Sequence, residues 1–387
     1  MPNNSVPIHR LDTEQSEFLE KCLFSGKNYW ISGFPGSGKS TILEHCVRLI
    51  KADRPQASIL VVVFTRSLIE MFKAAFREMD LGSVYVVTMY EFMRSSRTYD
   101  YILCDEVQDL TPRIIRELKN RSSILITAGD ENQSIFMIDP KYKEQTVDPK
   151  QITGLVQGET YQLSIVHRLS PAIQHAVQNL IPSLNNLARL TNRADHTTQI
   201  RLCHASNSME EIEYIYRESQ RAPQVGRTSA ILLSNHEAVI SFIQEVLKLQ
   251  QQEAWQVELN QHDKIDYGKM NAYLKKKGIK LHYVGNNYGS LTTANVVYVM
   301  TYHSAKGLDF DNVFLPGIDN RLYITSSPNL SRRIFMVAMT RSRNELYICH
   351  TGLPHPYVNS FSANPTDCIK VDINSVLHPS TNGPIGF

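Results

Sequence analysis

Residues 31–41, ISGFPGSGKST, carry the spacing G-x-x-x-x-G-K-[ST] of a loop that wraps the phosphates of a nucleotide. The glycines let the backbone turn tightly, so that its N–H groups and the N-terminus of the following helix point at phosphate oxygens. The pattern predicts that Lys39 reaches the β- and γ-phosphates and that the Ser40 hydroxyl binds Mg²⁺. The residues predicted to bind the nucleotide here are Gly33, Gly36, Ser37, Gly38, Lys39, Ser40 and Thr41.

A pair of carboxylates follows an apolar run in the segment YILCDEVQD. Asp105 and Glu106 come at the predicted carboxyl end of a strand, which is where ligands bind in open α/β sheets. One carboxylate there can hold Mg²⁺ through water, and its neighbour can take a proton from the attacking water. The alternative is that both acids only cap the following helix. The phosphate-binding loop upstream favours the hydrolytic role.

Three further polar residues have the chemistry to act on a phosphoryl group. Gln133, in ITAGDENQS, can sense a γ-phosphate or orient water. Arg168 lies in LSIVHRLSPAI and Arg341 in FMVAMTRSR. A guanidinium donated across a cleft between two domains would stabilise the charge on the transferring group. Each arginine alone could equally be an ordinary surface arginine, and Gln133 alone is a weak signal, so their combination carries the argument.

The elements that must position these residues are buried strands that alternate with amphipathic helices. Near-continuous apolar runs such as SILVVVFT and YDYILC indicate a parallel sheet that is covered on both faces. The polar segment 138–159 interrupts the pattern, and a second alternating set begins at YQLSIVH. The predicted fold is therefore α/β, with domains at 1–159 and 160–355 and a tail at 356–387.

The composition is that of a globular protein, with 387 residues, 42% hydrophobic and 20% charged. The net charge of +2 neither demands nor excludes a nucleic-acid partner. The sequence shows no signal peptide and no apolar run of the roughly 18 residues that a membrane span needs, so we expect a cytoplasmic protein without a membrane partner. The six scattered cysteines indicate a reducing compartment rather than disulfides. The Cys203-His204 and Cys349-His350 pairs are poor zinc ligands, because adjacent side chains on a strand point to opposite faces.

Taken in chain order, the motifs resemble those of the UvrD/Rep-like superfamily 1 helicases. The segment VMTYHSAKGLDFDNVFLPG, residues 299–317, is similar to motif V of that family almost residue for residue. The other similar segments are LDTEQ (Q motif), FTRSLIEMF (motif Ia), VTMYEF (Ib), CDEVQD (II), AGDENQSIF (III), VHRLS (IV) and VAMTRSR (VI). Together they extend from about residue 11 to about residue 350.

The resemblance implies two RecA-like P-loop NTPase domains, ATP and Mg²⁺ in the cleft, and single-stranded nucleic acid across the top. It implies that Gln15 reads the adenine, that His167 replaces the tyrosine that usually stacks on it, and that Asp309, with Gly307, lies near the ribose. The residues that it assigns to catalysis are Lys39, Asp105, Glu106, Gln133, Arg168 and Arg341. The residues that it places along the strand are Thr65, Thr88, Tyr90, Phe136, Thr301 and His303.

The departures from the family pattern are as informative as the matches. Only about a dozen residues separate Phe92 from Asp105, and about a dozen more separate HYVGN from motif V, so neither accessory domain of the large relatives has room. Relatives carry a Trp-Arg pair where this chain has Ile138 and Asp139. A base–aromatic stack is worth about 1–3 kcal/mol, so its loss, with an acid near the phosphate backbone, predicts a weaker grip on the strand.

Three functions compete. The first is an ATP-dependent DNA helicase or translocase that moves 3′ to 5′, by resemblance, and that acts beside a partner protein such as a nuclease. The second is a nucleotide- and DNA-dependent switch subunit of a partner effector, as in the compact helicase-like member of the Gabija antiphage pair, which would make antiviral defence its role. The third is a P-loop kinase, which the Asp-Glu pair and the downstream glutamine disfavour because they suit water as the nucleophile.

Overall fold

The computed structural model describes residues 6–139, 141–182, 184, 190–193, 199–359 and 368–379. The chain divides into two compact units. The first unit is Met1–Arg168 with Leu184–Asp195, and the second unit is Leu169–Ser183 with His196–Phe387. Each unit contains a parallel sheet with helices packed on it, which confirms the predicted α/β fold class.

The sheet of the first unit has six strands in the order β3-β2-β4-β5-β1-β6 among the described residues, and every pairing is parallel. This crossed order brings the carboxyl ends of β4, β5 and β1 side by side. The strands are β1 Tyr29–Gly33, β2 Ile59–Val63, β3 Tyr85–Thr88, β4 Tyr99–Cys104, β5 Ser122–Gly129 and β6 Glu159–Leu163. A separate parallel pair joins β7 Ile165–Val166 to β8 Thr191–Asn192.

The helices of the first unit follow the strands as crossover connections. They are α1 Thr13–Glu17, α2 Lys39–Asp53, α3 Arg66–Glu78, α4 Met89–Phe92, α5 Pro112–Asn120 and α6 Ile152–Val156. The run ILVVV of β2 shows why apolar residues are continuous here. Its alternate residues pack on opposite faces of the sheet, Val61 and Val63 with one core and Leu60 and Val62 with the other.

The sheet of the second unit has seven strands in the order β11-β12-β10-β13-β14-β9-β15 among the described residues, again all parallel. The strands are β9 Gln199–Ala205, β10 Ser229–Leu233, β11 Leu281–Tyr283, β12 Val297–Thr301, β13 Phe310–Leu315, β14 Ser342–Thr351 and β15 Cys368–Asp372. The helices are α7 Pro171–Leu180, α8 Ser208–Ser219, α9 Arg221–Gln224, α10 His236–Leu249, α11 Tyr267–Lys276, α12 Pro328–Met339, α13 Pro356–Asn359 and α14 Ile373–Leu377.

Two segments are placed differently from the sequence-based expectation. YQLSIVH was expected to open the second sheet, but its first part is β6, which pairs with β1 along its whole length. The C-terminal segment, predicted as a tail, supplies β15, which pairs with β9 from Cys368 to Asp372. In both cases the strand is short, and its partner is set by long-range pairing that local patterning does not reveal.

No helix in the described part of the chain combines the length and the apolar character that crossing a membrane requires.

Candidate active site

The phosphate-binding loop lies where the sheet of the first unit predicts a ligand site, between the end of β1 and the start of α2. Because β1 is flanked by β5, and β5 by β4, the loop, the Asp105-Glu106 pair and the turn Glu131–Gln133 all follow the carboxyl ends of adjacent strands. The structure therefore brings the residues predicted for phosphate, magnesium and water to one edge of one sheet.

Two glycines of the loop have backbone conformations that other residues rarely adopt. Gly36 and Gly38 both have φ of 80°. A Cβ atom on Gly36 would lie 2.8 Å from the Cβ of Arg168, and one on Gly38 would lie 2.2 Å from Nε2 of Gln15. The loop is thus closely enclosed by residues from the Q motif and motif IV, and glycine is required at both positions.

Gln15 and Asp12 form the wall of the loop on the side of the N-terminal helix α1. The Gln15 amide donates to the Ser37 carbonyl (3.1 Å), and its oxygen accepts from the Asp12 N–H (3.1 Å). One amide hydrogen and one lone pair of Gln15 remain for an adenine. Nε2 of His167 lies 2.5 Å from Oδ2 of Asp12. The expected adenine residues, Gln15 and His167, are therefore joined through one buried carboxylate.

Lys39 is folded back onto its own loop. Its Nζ donates to the carbonyl oxygens of Gly33 (2.8 Å) and Phe34 (3.1 Å). Burial lowers the pKa of Lys39, and the carboxylates of Asp130, Glu106 and Asp105 oppose that shift. The ammonium group is thus held at the loop by weak carbonyl acceptors, which phosphate oxygens can replace with stronger charge-assisted bonds.

Ser40 and Asp105 are directly connected. The Ser40 hydroxyl donates to Oδ2 of Asp105 at 2.6 Å, which joins the two predicted magnesium ligands. Burial and the neighbouring Glu106 raise the pKa of Asp105. A further buried acid, Glu44, lies one turn along α2 from Ser40, and burial followed by the charge of Asp105 raises its pKa to about 8. Two carboxyl groups with raised pKa values thus lie where a cation would be bound, and a bound cation would favour their ionised forms.

Glu106, the predicted base, has a strained backbone and a partner that the sequence analysis missed. Its φ is 55°, in the left-handed region that is uncommon for residues other than glycine. The Gln108 side chain donates to Oε2 of Glu106, and its oxygen accepts from the Asp130 N–H (3.2 Å). Gln108 is fully buried and so links the ends of β4 and β5. The signal for it was present, since DEVQD places an amide two residues after the acid.

Gln133 and Arg168 both belong to the first unit. Gln133 is buried at the end of the turn after β5, whose N-cap, Asp130, accepts from the Asn132 N–H. Arg168 was expected to come from the second domain. The structure places it in the first unit, because the preceding residue, His167, donates its N–H to the Gly36 carbonyl at 2.9 Å. Motif IV therefore packs directly on the phosphate-binding loop.

These residues fit ATP and Mg²⁺. The loop offers left-handed glycines and a helix N-terminus at the start of α2. The buried Ser37 hydroxyl oxygen has no hydrogen-bond partner within the described residues. Ser40 and Asp105 supply the oxygen ligands that Mg²⁺ prefers, and Mg²⁺ binds through few protein oxygens and several waters. Thr41 lies in the first turn of α2, half-exposed.

In the second unit the structure brings Asp309 and Arg341 together. They immediately precede β13 and β14, and the Phe310 N–H donates to the Arg341 carbonyl. Arg341 is buried, and its guanidinium donates to the carbonyls of Val337 (2.9 Å) and Leu308 (3.1 Å). Oδ1 of Asp309 lies 3.9 Å from Nη1 of Arg341, and Oδ2 lies 3.6 Å from Nη2 of Arg343. Gly307 supplies a φ of 77° in the loop before Asp309.

Thr301 and His303 lie at the opposite, carboxyl edge of the same sheet. The Thr301 hydroxyl donates to Oγ of Ser304 at 3.0 Å and accepts from the Ser304 N–H, so it shapes the turn after β12. Burial lowers the pKa of His303, and the nearby His236 and Lys306 lower it further. His236 begins α10 after the neighbouring strand β10, in the segment AILLSNH. Its position as a polar residue shortly after a buried strand is the signal in the sequence that could have pointed to it.

Thr65 and Thr88 both cap helices. Thr65 accepts from the Leu68 N–H at the start of α3, and Thr88 forms a reciprocal capping box with Glu91 at the start of α4. Thr65 follows β2, and Thr88 is the last residue of the adjacent strand β3. The two threonines that the resemblance places along the strand therefore share one edge of the sheet, where their hydroxyls hold the helix starts.

The segment after motif III corrects one expectation. Asp139 was expected to present an acid to the phosphate backbone, but it is 0% exposed. Its carboxylate accepts from the N–H groups of Lys141 (2.9 Å) and Tyr142 (2.6 Å) and from the Tyr90 hydroxyl (3.2 Å). The carboxylate stabilises a turn through these hydrogen bonds, and because it is buried it does not present a negative charge at the surface.

Apolar residues occupy the surface beside that turn. Met137 and Ile138 are 61% and 55% exposed. The Phe136 ring packs on Phe64, with centroids 4.7 Å apart, and is half-buried. Burial and the Asp139 carboxylate raise the pKa of Tyr90. The surface beside the Asp139 turn therefore presents exposed aliphatic side chains.

The Cys-His pairs lie side by side in the second sheet. Cys203 pairs with Cys349 and His204 with His350 in the register of β9 and β14. Both cysteines are buried, whereas His204 is exposed and its ring lies 5.2 Å from that of His350. The two residue types face opposite sides, as predicted, and the described residues contain no cluster of three or more ligands suited to a metal ion.

Two family models match the chain. Residues 15–139 match an AAA domain, and residues 281–352 match the UvrD-like helicase C-terminal domain. The first match begins at Gln15, the last residue of the Q motif, and covers the phosphate-binding loop and motifs Ia, Ib, II and III. The second begins at β11 and extends through motifs V and VI to the end of β14.

Curated relatives match over shorter segments. A probable DNA helicase II homolog of Rickettsia conorii is 40% identical over an alignment of 74 residues, which covers 16% of this chain and 10% of the relative. The ATP-dependent DNA helicase PcrA of Staphylococcus aureus is 35% identical over 100 residues, 24% of this chain and 14% of the relative. The matches thus span only a small part of the length of these relatives.

Solved structures show weaker likeness. The C-terminal domain of a possible DNA helicase from Lactobacillus plantarum WCFS1 aligns with 53% of this chain and 98% of that chain, at 14% identity and a TM-score of 0.35. An arterivirus nonstructural protein 10 (helicase) in complex with DNA aligns with 86% of this chain and 63% of that chain, at 15% identity and a TM-score of 0.43.

Proposed function

Because the chain is a UvrD/Rep-like protein of helicase superfamily 1, we propose that it is an ATP-dependent DNA helicase or translocase. It couples ATP hydrolysis to movement on single-stranded DNA, with the 3′-to-5′ direction that the resemblance implies. The observation that carries the proposal is the meeting of the phosphate-binding loop, the Ser40–Asp105 pair and Glu106 at one sheet edge.

The residues of the first unit divide the work on ATP. When ATP binds, the Lys39 ammonium group donates to β- and γ-phosphate oxygens, and its hydrogen bonds to the carbonyl oxygens of Gly33 and Phe34 are broken. Ser40 and Asp105 hold Mg²⁺, which would neutralise charge on the phosphates. Glu106 takes the proton of the attacking water, with Gln133 orienting that water. Gln15 and His167 receive the adenine.

Two arginines and the motif V loop complete the nucleotide site in this proposal. Arg168 lies against the phosphate-binding loop, and Arg341 is the second guanidinium that the resemblance assigns to the transferring phosphate. A guanidinium at that position stabilises the charge that develops on the γ-phosphoryl group. Asp309, with Gly307, contacts the ribose by resemblance. In the present structure Asp309 pairs with arginines of its own unit instead.

Single-stranded DNA is bound by residues that follow the carboxyl ends of strands in both units. These residues are Thr65, Thr88, Tyr90, Phe136, Thr301 and His303. Asp139 is buried, and the neighbouring exposed side chains, Met137 and Ile138, are aliphatic rather than aromatic. We therefore expect weak stacking on the bases and a low affinity for single-stranded DNA. Unwinding then depends on a protein partner, with a nuclease as one candidate.

The steady-state ATPase rate tests this function. We expect single-stranded DNA to stimulate hydrolysis, and Lys39→Ala to abolish it. Lys51→Ala is the matched control, because Lys51 lies on the same helix and also donates to two backbone carbonyls, those of Leu81 and Ser83. A DNA-independent rate, or equal loss of activity in both variants, would contradict the proposal.

A second candidate is a DNA- and nucleotide-dependent switch subunit of a partner effector. The short connections between the motifs and the aliphatic surface at Met137 and Ile138 favour it, since both reduce the hold on a strand that unwinding requires. A strand-displacement assay separates the two functions. Displacement by this chain alone supports the helicase, and DNA-stimulated hydrolysis without displacement supports the switch. No relative reported above bears on antiviral defence, which stays a prediction.

A further inference from the structure

We propose that the open edge of β3 and the adjoining face of α3 bind an extended, acidic segment of a partner protein, which adds to the first sheet as a seventh strand. This surface, the β3 groove, lies along one side of the sheet rather than at the carboxyl edge that holds the nucleotide residues. It is therefore separate from the nucleotide residues, and it meets the residues assigned to DNA only at Thr88, the last residue of β3.

The strand edge supplies the main-chain partners. β3 is the last strand of its sheet and pairs with β2 from Tyr85 to Thr88, while no other strand in the described part of the chain lies on its outer side. An edge strand presents a row of N–H and C=O groups that an extended peptide can match. Four residues span about 13 Å, enough for a peptide of similar length to pair.

The groove beside this edge is deep enough for side chains. It encloses about 600 Å³. Its apolar lining includes Ile69 and Phe76 of α3 together with Val84 and Val87. Tyr85, at the start of β3, is 64% exposed although its neighbour Val86 is buried. Alternate side chains of an added strand would find an apolar wall on α3 and an aromatic ring on the opposite side.

The charge of the groove selects an acidic segment. Lys73 and Arg77 are one turn apart on α3, both are exposed, and both line the groove. The one acid of the lining, Glu91, is already engaged, because its Oε2 accepts from the N–H and the hydroxyl of Thr88. The lining of the groove therefore offers Lys73 and Arg77 no uncommitted carboxylate, and carboxylates on the added strand would pair with these two cations.

Two other occupants fit less well. A second copy of this chain, pairing β3 with β3, would bring the same two cations of each copy to a shared edge, where like charges repel. A nucleic acid would gain from Lys73 and Arg77, but it could not use the main-chain edge or the aliphatic wall. A peptide uses the edge, the wall and the charges together.

The test uses fluorescein-labelled ten-residue peptides in which Val or Ile alternates with Asp or Glu. Their binding to the purified full chain is measured by fluorescence anisotropy. One control peptide carries Lys in place of the acids, and the other carries N-methyl groups on alternate amides. The double variant Lys73→Glu/Arg77→Glu is compared with Lys275→Glu/Lys276→Glu, which reverses two adjacent exposed lysines at the end of α11. Thermal unfolding checks that both variants are folded.

We expect saturable binding of acidic peptides to the wild type and to the α11 variant, and binding weakened at least about tenfold in the α3 variant. Both control peptides should bind as weakly, and hydrogen exchange of amides 84–87 should slow in the complex. The proposal is overturned if no acidic peptide binds below about 1 mM. It is also overturned if charge reversal on α3 has no effect, if oligothymidine displaces the peptide, or if β3-dependent dimers form instead.

Discussion

Replacing Gln108 with leucine should lower the turnover of ATP without lowering the affinity for it. The two side-chain hydrogen bonds of Gln108 within the described residues go to the predicted base, Glu106, and to the backbone of Asp130, rather than to the phosphate-binding loop. Its removal frees the Glu106 carboxylate to leave the position that its left-handed backbone and Gln108 together define. A displacement of about 1 Å at a reacting group costs up to about 100-fold in rate.

The stability cost follows from the two bonds. A hydrogen bond to a charged group contributes about 1.5–3 kcal/mol, and the orphaned Asp130 N–H costs about 1–3 kcal/mol. We therefore expect Gln108→Leu to lower the free energy of unfolding by roughly 2–5 kcal/mol, since part of the loss is offset by the apolar leucine. At saturating ATP and single-stranded DNA, kcat should fall about 10- to 100-fold. The nucleotide dissociation constant should change by less than about twofold.

A matched control separates catalysis from stability. Gln244 in the second unit also uses both ends of its amide, donating to the Trp255 carbonyl (2.6 Å) and accepting from the Trp255 N–H (3.0 Å). Gln244→Leu should lower the free energy of unfolding but leave kcat unchanged. Gln108→Glu keeps the acceptor for Asp130 and replaces the donor with a charge that repels Glu106, so its kcat should fall too. If Gln108→Leu loses stability yet turns over at the wild-type rate, the positioning role is refuted.

Two further outcomes are expected. Gly38→Ala should weaken binding of a fluorescent ATP analogue about tenfold, because the new Cβ would lie 2.2 Å from the Gln15 amide. Gly26→Ala is the control, since Gly26 has nearly the same φ (78°) but open space around it. Equal weakening of binding by the two substitutions would contradict the steric argument. Burial raises the pKa of Asp12, but its hydrogen bonds with His167 and the Gln15 N–H outweigh that effect and lower it. The stabilisation from Asp12 is therefore full above pH about 4 and is lost as the pH falls through its lowered pKa. In urea unfolding the gap between wild type and Asp12→Asn should narrow from pH 5 to pH 3, and a constant gap would count against the charge.

Local patterns were sufficient to predict that the residues assigned to the nucleotide in the first unit would meet at one edge of its sheet. The phosphate-binding loop is a contiguous segment, and its spacing dictates the left-handed glycines and the helix start at Lys39 that the structure contains. Asp105 and Glu106 could be placed because an apolar run marks the end of a buried strand. Their meeting with the loop followed from the rule that parallel strands present their carboxyl ends at one edge.

What the sequence did not reveal depends on neighbours that are distant along the chain. Gln108 bridges two strand ends, so its role appears only when β4 and β5 are known to be adjacent. The Asp139 side chain points inward because it accepts from N–H groups of the residues that follow it, Lys141 and Tyr142. The comparison of residue types with the family pattern therefore predicted the wrong environment for this acid. β6 joined the first sheet because its pairing partner is β1, and pairing is not encoded in either strand alone.

The interleaving of the two units has a consequence for the order in which they can be completed during synthesis. β8, which pairs with β7 in the first unit, follows α7, a helix of the second unit. A chain that emerges from the ribosome therefore cannot finish the first unit until the opening helix of the second has been made. A fragment that stops at Arg168 would carry every strand of the six-stranded sheet but not β8. The first unit is thus expected to be separable from the second only by a cut that also removes β8.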